Sequence, residues 1–347
     1  MKGLYVDQPE HVIIKEVDEP ELSADEVRIR AEFAAIKHGT DFHIFSGTSP
    51  FQDRDFDLTQ RLFVKRADED VRDRHLHRFI GNTVVGVVSE VGPAVQEFRV
   101  GDRVYGYGPI CTSVVKRAAQ LHPLPAAMSP TDALCLDPAY YAYVAVRDAR
   151  PCVGDNVAVF GLGAIGLLVV QLLKLSGCLS IVAVDALEKR RQLAADFGAD
   201  LVLDPTRHDV AMEVRKYLGR GADVAIEASG HYRALAEAMR TVQQCARIVT
   251  LGFYKGKDTE LELGAEWLHN RLELICSMPV WGNPMRDYPL WDEQRAMRTL
   301  EILFGKKALT SAGIVDPIVP FAEVAQAFMD IYRDPSSSVK LGVAFDT

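Results

Sequence analysis

The ten residues Val157-Ala158-Val159-Phe160-Gly161-Leu162-Gly163-Ala164-Ile165-Gly166 read as an apolar strand, a G-x-G-x-x-G turn and the first turn of an amphipathic helix. The three glycines serve different purposes. Gly161 makes the tight turn, Gly163 lets the backbone close on a pyrophosphate, and Gly166 lets helix and strand pack. The helix start offers unpaired N–H groups to an anion, so Gly161, Leu162, Gly163, Ala164, Ile165 and Gly166 are candidate phosphate-binding residues. A lone G-x-G-x-x-G is a weak signal. Here a second strand, Ile181–Val184, follows and ends in Asp185, about 20 residues past the loop, where an acid accepts hydrogen bonds from the adenosine ribose. A carboxylate there repels a 2′-phosphate, so NAD is expected over NADP, with the bases Lys189, Arg190 and Arg191 close by as a counter-indication.

Two later runs, Ala225-Ile226-Glu227-Ala228-Ser229-Gly230 and Ile248-Val249-Thr250-Leu251-Gly252-Phe253, read as strands with small-residue ends. Ligands of an open parallel sheet lie beyond its strand C-termini. Ser229, Gly230, Gly252 and Phe253 are therefore candidates to line the nicotinamide half.

Outward from this core, the rhythm from Pro130 onward alternates helix and strand, as in β-α-β units on a parallel sheet. The helical runs are Ala133–Arg147, Ala164–Ser176, Glu188–Phe197, Val210–Leu218 and Tyr232–Val242. The first 125 residues instead give short strands rich in β-branched and aromatic residues, Val12–Val17, Glu26–Phe33, Val84–Val91, Arg103–Tyr107 and Ser113–Lys116, consistent with a barrel-like domain. Residues 51–78, crowded with Asp, Glu and Arg, read as a surface excursion, partly helical, that could cover a cleft. Two amphipathic helices, Trp291–Phe304 and Phe321–Tyr332, precede a final strand, Val339–Phe345, that could return to the first domain.

Composition removes several function classes. Of 347 residues, 39 are Lys or Arg and 48 Asp or Glu, a net charge of −9 with no long basic run, which argues against nucleic-acid binding. Apolar stretches such as Leu162–Leu175 are broken by Gly, Gln or Lys within about 15 residues, short of the roughly 20 that cross a bilayer. No membrane partner is expected, and the amino terminus shows no signal-peptide pattern, so a cytoplasmic location is the default. The six cysteines, Cys111, Cys135, Cys152, Cys178, Cys245 and Cys276, contain no C-x-x-C pair and read as separate reduced thiols.

Three further motifs carry a resemblance. Gly39-Thr40-Asp41-Phe42-His43-Ile44-Phe45-Ser46-Gly47, the strand Val84–Gly92 with its G-x-V-x-x-x-G, and Val100-Gly101-Asp102-Arg103-Val104 occur in the order seen in zinc alcohol and polyol dehydrogenases. The whole chain resembles the medium-chain dehydrogenase/reductase superfamily. The resemblance implies an α/β fold with a GroES-like β-rich catalytic domain, residues 1–138 and 280–347, and a Rossmann doubly wound parallel sheet, residues 139–279. It also implies a small-molecule substrate and a homodimer or homotetramer.

Where zinc members carry their ligands this chain departs. His38 stands at the place of a ligand Cys, Gly81-Asn82-Thr83 replaces Gly-His-Glu, and only Cys111 lies where a four-Cys zinc lobe belongs. With Asp137 near the third ligand position, His38 and Asp137 are too few for zinc, and no metal is expected. The similarity is to a branch without zinc ligands that includes dehydrogenases of sugars and cyclitols. That resemblance retains a proton path, Thr40 through the nicotinamide ribose to His43. Without metal the substrate oxygen needs a side-chain acid or base; His38 is the nearest titratable residue, Asp137 could orient it, and Lys37 is the alternative.

Three readings stand at this point. One is zinc-independent, NAD-dependent oxidation of a secondary alcohol in a polyol, sugar or cyclitol. Another is NAD(P)H-dependent reduction of an activated C=C bond, and the third a non-catalytic NAD-binding protein.

Overall fold

A computed structural model describes residues 1–47, 51, 53–66, 76–254, 261–280 and 292–346. The chain divides into two compact units, Met1–Leu134 with Val315–Thr347, and Cys135–Ile314. The expected boundaries at 138/139 and 279/280 therefore move. Helix Glu293–Gly305 belongs to the second unit because its apolar stripe, Ala296, Leu300 and Phe304, is buried and it packs on helix Leu136–Ala149.

In the second unit six parallel strands lie in the order Leu201–Leu203, Ser180–Val184, Asn156–Phe160, Ala222–Glu227, Val242–Thr250, Glu273–Cys276. Numbered along this unit the order is 3-2-1-4-5-6, the dinucleotide-binding arrangement. Strand Asn156–Phe160 is buried at all five residues, as a strand covered on both faces must be. The helices Ala164–Leu175, Glu188–Asp196, Val210–Leu218 and Tyr232–Thr241 lie where the sequence periodicity predicts them. The short strand Leu201–Leu203 and the edge strand Glu273–Cys276, with Glu273, Leu274 and Cys276 exposed, lack a period-2 apolar pattern and so carry no strand signal in the sequence.

The first unit carries a larger sheet ordered Leu121–Pro123, Arg103–Tyr107, Thr83–Val91, Glu26–Ala35, Lys340–Ala344, Val315–Pro320, with Ser113–Arg117 also pairing Glu26–Ala35. The expected return of the chain is present: Gly342 pairs with Ala35 and Val343 with Ala34. A smaller sheet joins His11–Glu16, Lys2–Gln8 and Arg78–Phe79. The described part of the 51–78 excursion is β and not helical. Arg54–Asp57 and Leu62–Lys65 form an antiparallel hairpin, because the Asp57 carboxylate accepts from Thr59 N at 2.7 Å and Gln60 N at 2.9 Å and closes the turn. Residues 67–75, with His75 among them, lie outside the described residues.

The Gly39–Gly47 segment, expected as a loop, is mostly the helix His38–Phe45. The Asp41 carboxylate accepts from the Lys37 N–H at 2.7 Å, in the manner of a capping box, and an acid in the first turn interacts favourably with the positive end of the helix dipole. Phe42 and Phe45 then seat the helix against Phe328 and Tyr332 with ring centroids 5.0–5.6 Å apart.

Candidate active site

In the second unit every predicted cofactor residue gathers at the C-terminal edge of the sheet. Gly161 follows strand Asn156–Phe160 with φ +85°, and a Cβ there would lie 2.6 Å from Ser229 Cβ, so the glycine turn and the Ser229–Gly230 turn touch. A Cβ on Gly166 would meet the Gly161 carbonyl oxygen at 1.8 Å; helix Ala164–Leu175 can pack this closely only on glycine. Gly163 is different, since a Cβ there would meet nothing within 4 Å. Its backbone faces open space, as a pyrophosphate cradle requires. Ala164 and Ile165 open the helix and Leu162 is fully buried.

Asp185 follows strand Ser180–Val184. One carboxylate oxygen accepts from Leu162 N at 2.7 Å and the other from Leu187 N at 2.8 Å. The acid is thus tied to the glycine turn and cannot swing away. Of the three bases beside it, Arg191 is spent on the Asp185 carbonyl at 2.7 Å and on Asp204 at 3.3 Å, and Lys189 is exposed. Arg190 Nη1 stands 3.9 Å from the Asp185 carboxylate, and burial lowers the pKa of its guanidinium.

The ends of the fourth and fifth strands interlock. A Cβ on Gly252 would fall 2.1 Å from Gly230 N, and one on Gly230, at φ +72°, would fall 2.7 Å from Phe253 O. Sequence reasoning missed what holds them: Glu227, fully buried, accepts from Ser229 N at 2.7 Å, Gly230 N at 3.2 Å, the Ser229 hydroxyl and the Tyr254 hydroxyl. Its signal was an acid closing the apolar run Ala225-Ile226. Burial pushes this carboxyl's pKa up against the pull of those donors.

In the first unit Lys37 directly precedes helix His38–Phe45, and His38 and Thr40 lie in its first turn. Lys37 and His38 are half-buried, Thr40 is exposed and His43, three residues on, is buried. His38 is tied to the last strand: its Nε2 accepts from Leu341 N at 3.0 Å, so that nitrogen carries no proton and the ring's donor is Nδ1–H. Positive charge nearby comes from lysine. Lys340 is buried and donates to Ile36 O at 2.6 Å, and Lys340, Lys37 and Arg78 all draw on Asp41. Burial still wins at Asp41 and pushes its carboxyl up to about 6. Asp137 lies in the other unit, on the first turn of helix Leu136–Ala149.

Residues 23–153 match the alcohol dehydrogenase GroES-like domain and residues 164–280 the zinc-binding dehydrogenase domain. D-guloside 3-dehydrogenase of Escherichia coli (strain K12) is 36% identical over 351 residues, which cover 99% of this chain and 100% of that protein. The chain belongs to the medium-chain dehydrogenase/reductase superfamily. A more distant relative, (R,R)-butanediol dehydrogenase of Bacillus subtilis (strain 168), is 28% identical over 285 residues, 74% of this chain and 78% of that one. The fold also matches a solved alcohol dehydrogenase from E. coli CFT073 complexed with NADH, with TM-score 0.77, 22% identity and 99% of each chain covered. This dehydrogenase is an alcohol and polyol dehydrogenase-like oxidoreductase.

At the places where that domain's description implies zinc, the side-chain donors present are engaged with protein groups. Thr83 Oγ1 donates to Asn82 Oδ1 at 3.0 Å in a buried pair, and the Nε2 lone pair of His38 is taken by Leu341 N–H. Among the described residues no group of three or more His, Cys, Asp or Glu is placed to hold a metal ion. The glycine turn with Asp185, by contrast, fits a dinucleotide.

Proposed function

We propose that this dehydrogenase works with NAD and without zinc on a secondary alcohol of a polyol, sugar or cyclitol. The observation that carries the reading is the anchored Asp185 carboxylate. Each of its oxygens accepts one backbone N–H and keeps a lone pair, so a ribose diol finds two acceptors where a 2′-phosphate meets negative charge. The 36% likeness to D-guloside 3-dehydrogenase across both full lengths supports the substrate class. The donor chemistry at His38, Asn82 and Thr83 supports zinc independence.

The bound dinucleotide supplies the hydride acceptor. This chain supplies the rest from helix His38–Phe45 and the residue before it. Lys37 brings the positive charge toward a developing alkoxide, and neutral His38 keeps Nδ1–H as its only ring donor. Thr40, exposed, and His43, buried on the same helix face, are the candidate path for the hydroxyl proton, and Asp137 is the candidate acid of the second unit.

A screen of NAD and NADP reduction over polyols, sugars and cyclitols, with elemental analysis of the same preparation, tests the reading. Turnover of a secondary alcohol with NAD at well under one zinc per chain is expected. Preference for NADP, or activity lost to a chelator and restored by zinc, overturns it; reduction of activated C=C bonds alone favours the other reductase class.

Assembly and location belong to the same reading. Strand Glu273–Cys276 is an edge of its sheet among the described residues, with Leu274 exposed on it and Leu268, Met278 and Val280 exposed nearby in sequence. That supports a homodimer or homotetramer, which sedimentation velocity checks. No helix among the described residues is long and apolar enough to cross a membrane. The six cysteines are thiols and not disulfides, which supports a reducing compartment such as the cytoplasm.

A further inference from the structure

Glu227 has no place in the acid–base chemistry above, yet it is the most heavily hydrogen-bonded carboxylate at the edge where the cofactor residues meet. It ends strand Ala222–Glu227, and its main chain is fixed on both sides: Ala228 N donates to Phe160 O at 2.8 Å, and Leu251 N donates to Glu227 O at 3.0 Å. The side chain turns back under the two following turns. One oxygen takes Ser229 N, the Ser229 hydroxyl and Gly230 N, and the other takes Gly230 N and the Tyr254 hydroxyl.

These donors come from two loops. Ser229 and Gly230 follow the fourth strand and Tyr254 follows the fifth, so a single carboxylate ties both strand ends together. The tie is needed because the glycines there contribute no side-chain contacts: Gly230 sits at φ +72°, and Gly252 approaches so closely that a Cβ would lie 2.9 Å from Glu227 Oε2. Tyr254 is held in turn by Tyr232, with ring centroids 5.1 Å apart, at the start of helix Tyr232–Thr241. All its partners here are donors, so the ionised Glu227 carboxylate satisfies every one of them without rearrangement.

We infer that Glu227 and Tyr254 are positioning residues for the nicotinamide half of the dinucleotide: they hold Ser229–Gly230 against Gly252–Phe253 while the adenosine half rests separately on Asp185. This rests on the dinucleotide reading above, and it divides the cofactor's binding between two anchors. Asp185 ties the second strand to the glycine turn. Glu227 ties the fourth strand to the fifth.

Binding of NADH and of ADP-ribose, which lacks the nicotinamide, separates the two. Tyr254→Phe keeps the ring and removes one donor, and Glu227→Gln removes the charge. Titrated by calorimetry, Glu227→Gln should weaken NADH about ten- to hundredfold and Tyr254→Phe about three- to tenfold, the worth of one charge-assisted hydrogen bond or less. ADP-ribose affinity should stay within about twofold in both. The fluorescence change of the dihydronicotinamide on binding should shrink in step with the NADH loss. Equal weakening of both ligands, or unchanged NADH binding in Tyr254→Phe and Glu227→Gln, overturns the proposal. If the native protein binds neither ligand, the dinucleotide reading itself falls and takes this inference with it.

Discussion

The Leu341 backbone N–H donates to His38 Nε2 at 3.0 Å and so joins helix His38–Phe45 to strand Lys340–Ala344, about 300 residues away in the chain. A nitrogen that accepts an amide hydrogen bond carries no proton. At neutral pH His38 is therefore expected as the Nδ1–H tautomer, which nitrogen NMR of histidine-labelled protein reads directly; a protonated Nε2 would contradict it. His38→Ala strands the buried-side N–H and should cost about 1–3 kcal/mol in thermal or denaturant unfolding.

Gly163 and Gly166 lie three residues apart and should answer the same substitution in opposite ways. A Cβ on Gly163 meets nothing within 4 Å, whereas one on Gly166 meets the Gly161 carbonyl oxygen at 1.8 Å. Gly163→Ala should leave Tm almost unchanged and weaken NAD binding by at least about tenfold, because the methyl occupies the space a pyrophosphate needs. Gly166→Ala should lower Tm by several degrees or prevent folding. Differential scanning fluorimetry with and without NAD decides; equal Tm losses in the two variants would sink the assignment.

Asp185→Ala removes the charge that faces a 2′-phosphate and frees Arg190, whose Nη1 lies 3.9 Å away. NAD affinity should fall and NADP affinity should rise or hold, narrowing the gap by about tenfold or more. Competitive titration of the two nucleotides measures it. A gap that widens would place the adenosine ribose elsewhere.

Asp41 makes stability depend on pH in an unusual direction. Burial pushes its carboxyl up to about 6 in the folded protein, from the ordinary aspartate value of 3.8. Between these values the folded state binds the proton more tightly than the unfolded state, so this group's contribution to stability falls as pH rises from about 4 to 6 and is level above about 7. Asp41→Asn lacks that slope. The difference in Tm, native minus variant, should therefore decrease across pH 4 to 6, and an increase would show that the cations around Asp41 outweigh its burial.

Much of the second unit could be read from residues in a row. Strand, glycine turn, helix, second strand and acid follow one another in Val157–Asp185, and each is decided by local chemistry: an apolar run, missing side chains at 161, 163 and 166, then a carboxylate. The return of the last strand to the first unit was legible too, from an apolar strand after two amphipathic helices. What the row of residues could not decide was everything set by partners far away. His38 has the same side chain whether it is acid, ligand or acceptor, and only the Leu341 amide, 303 positions later, settles its tautomer. The helix at His38–Phe45 looks like a glycine-bounded loop until Phe328 and Tyr332 pack on it. Glu227 reads as an acid ending a strand until the folded sheet brings Tyr254 to its second oxygen. Side-chain type and spacing determine which elements form, because those depend on neighbours three or four residues away; protonation and hydrogen-bond partners depend on groups that only the fold brings within 3 Å.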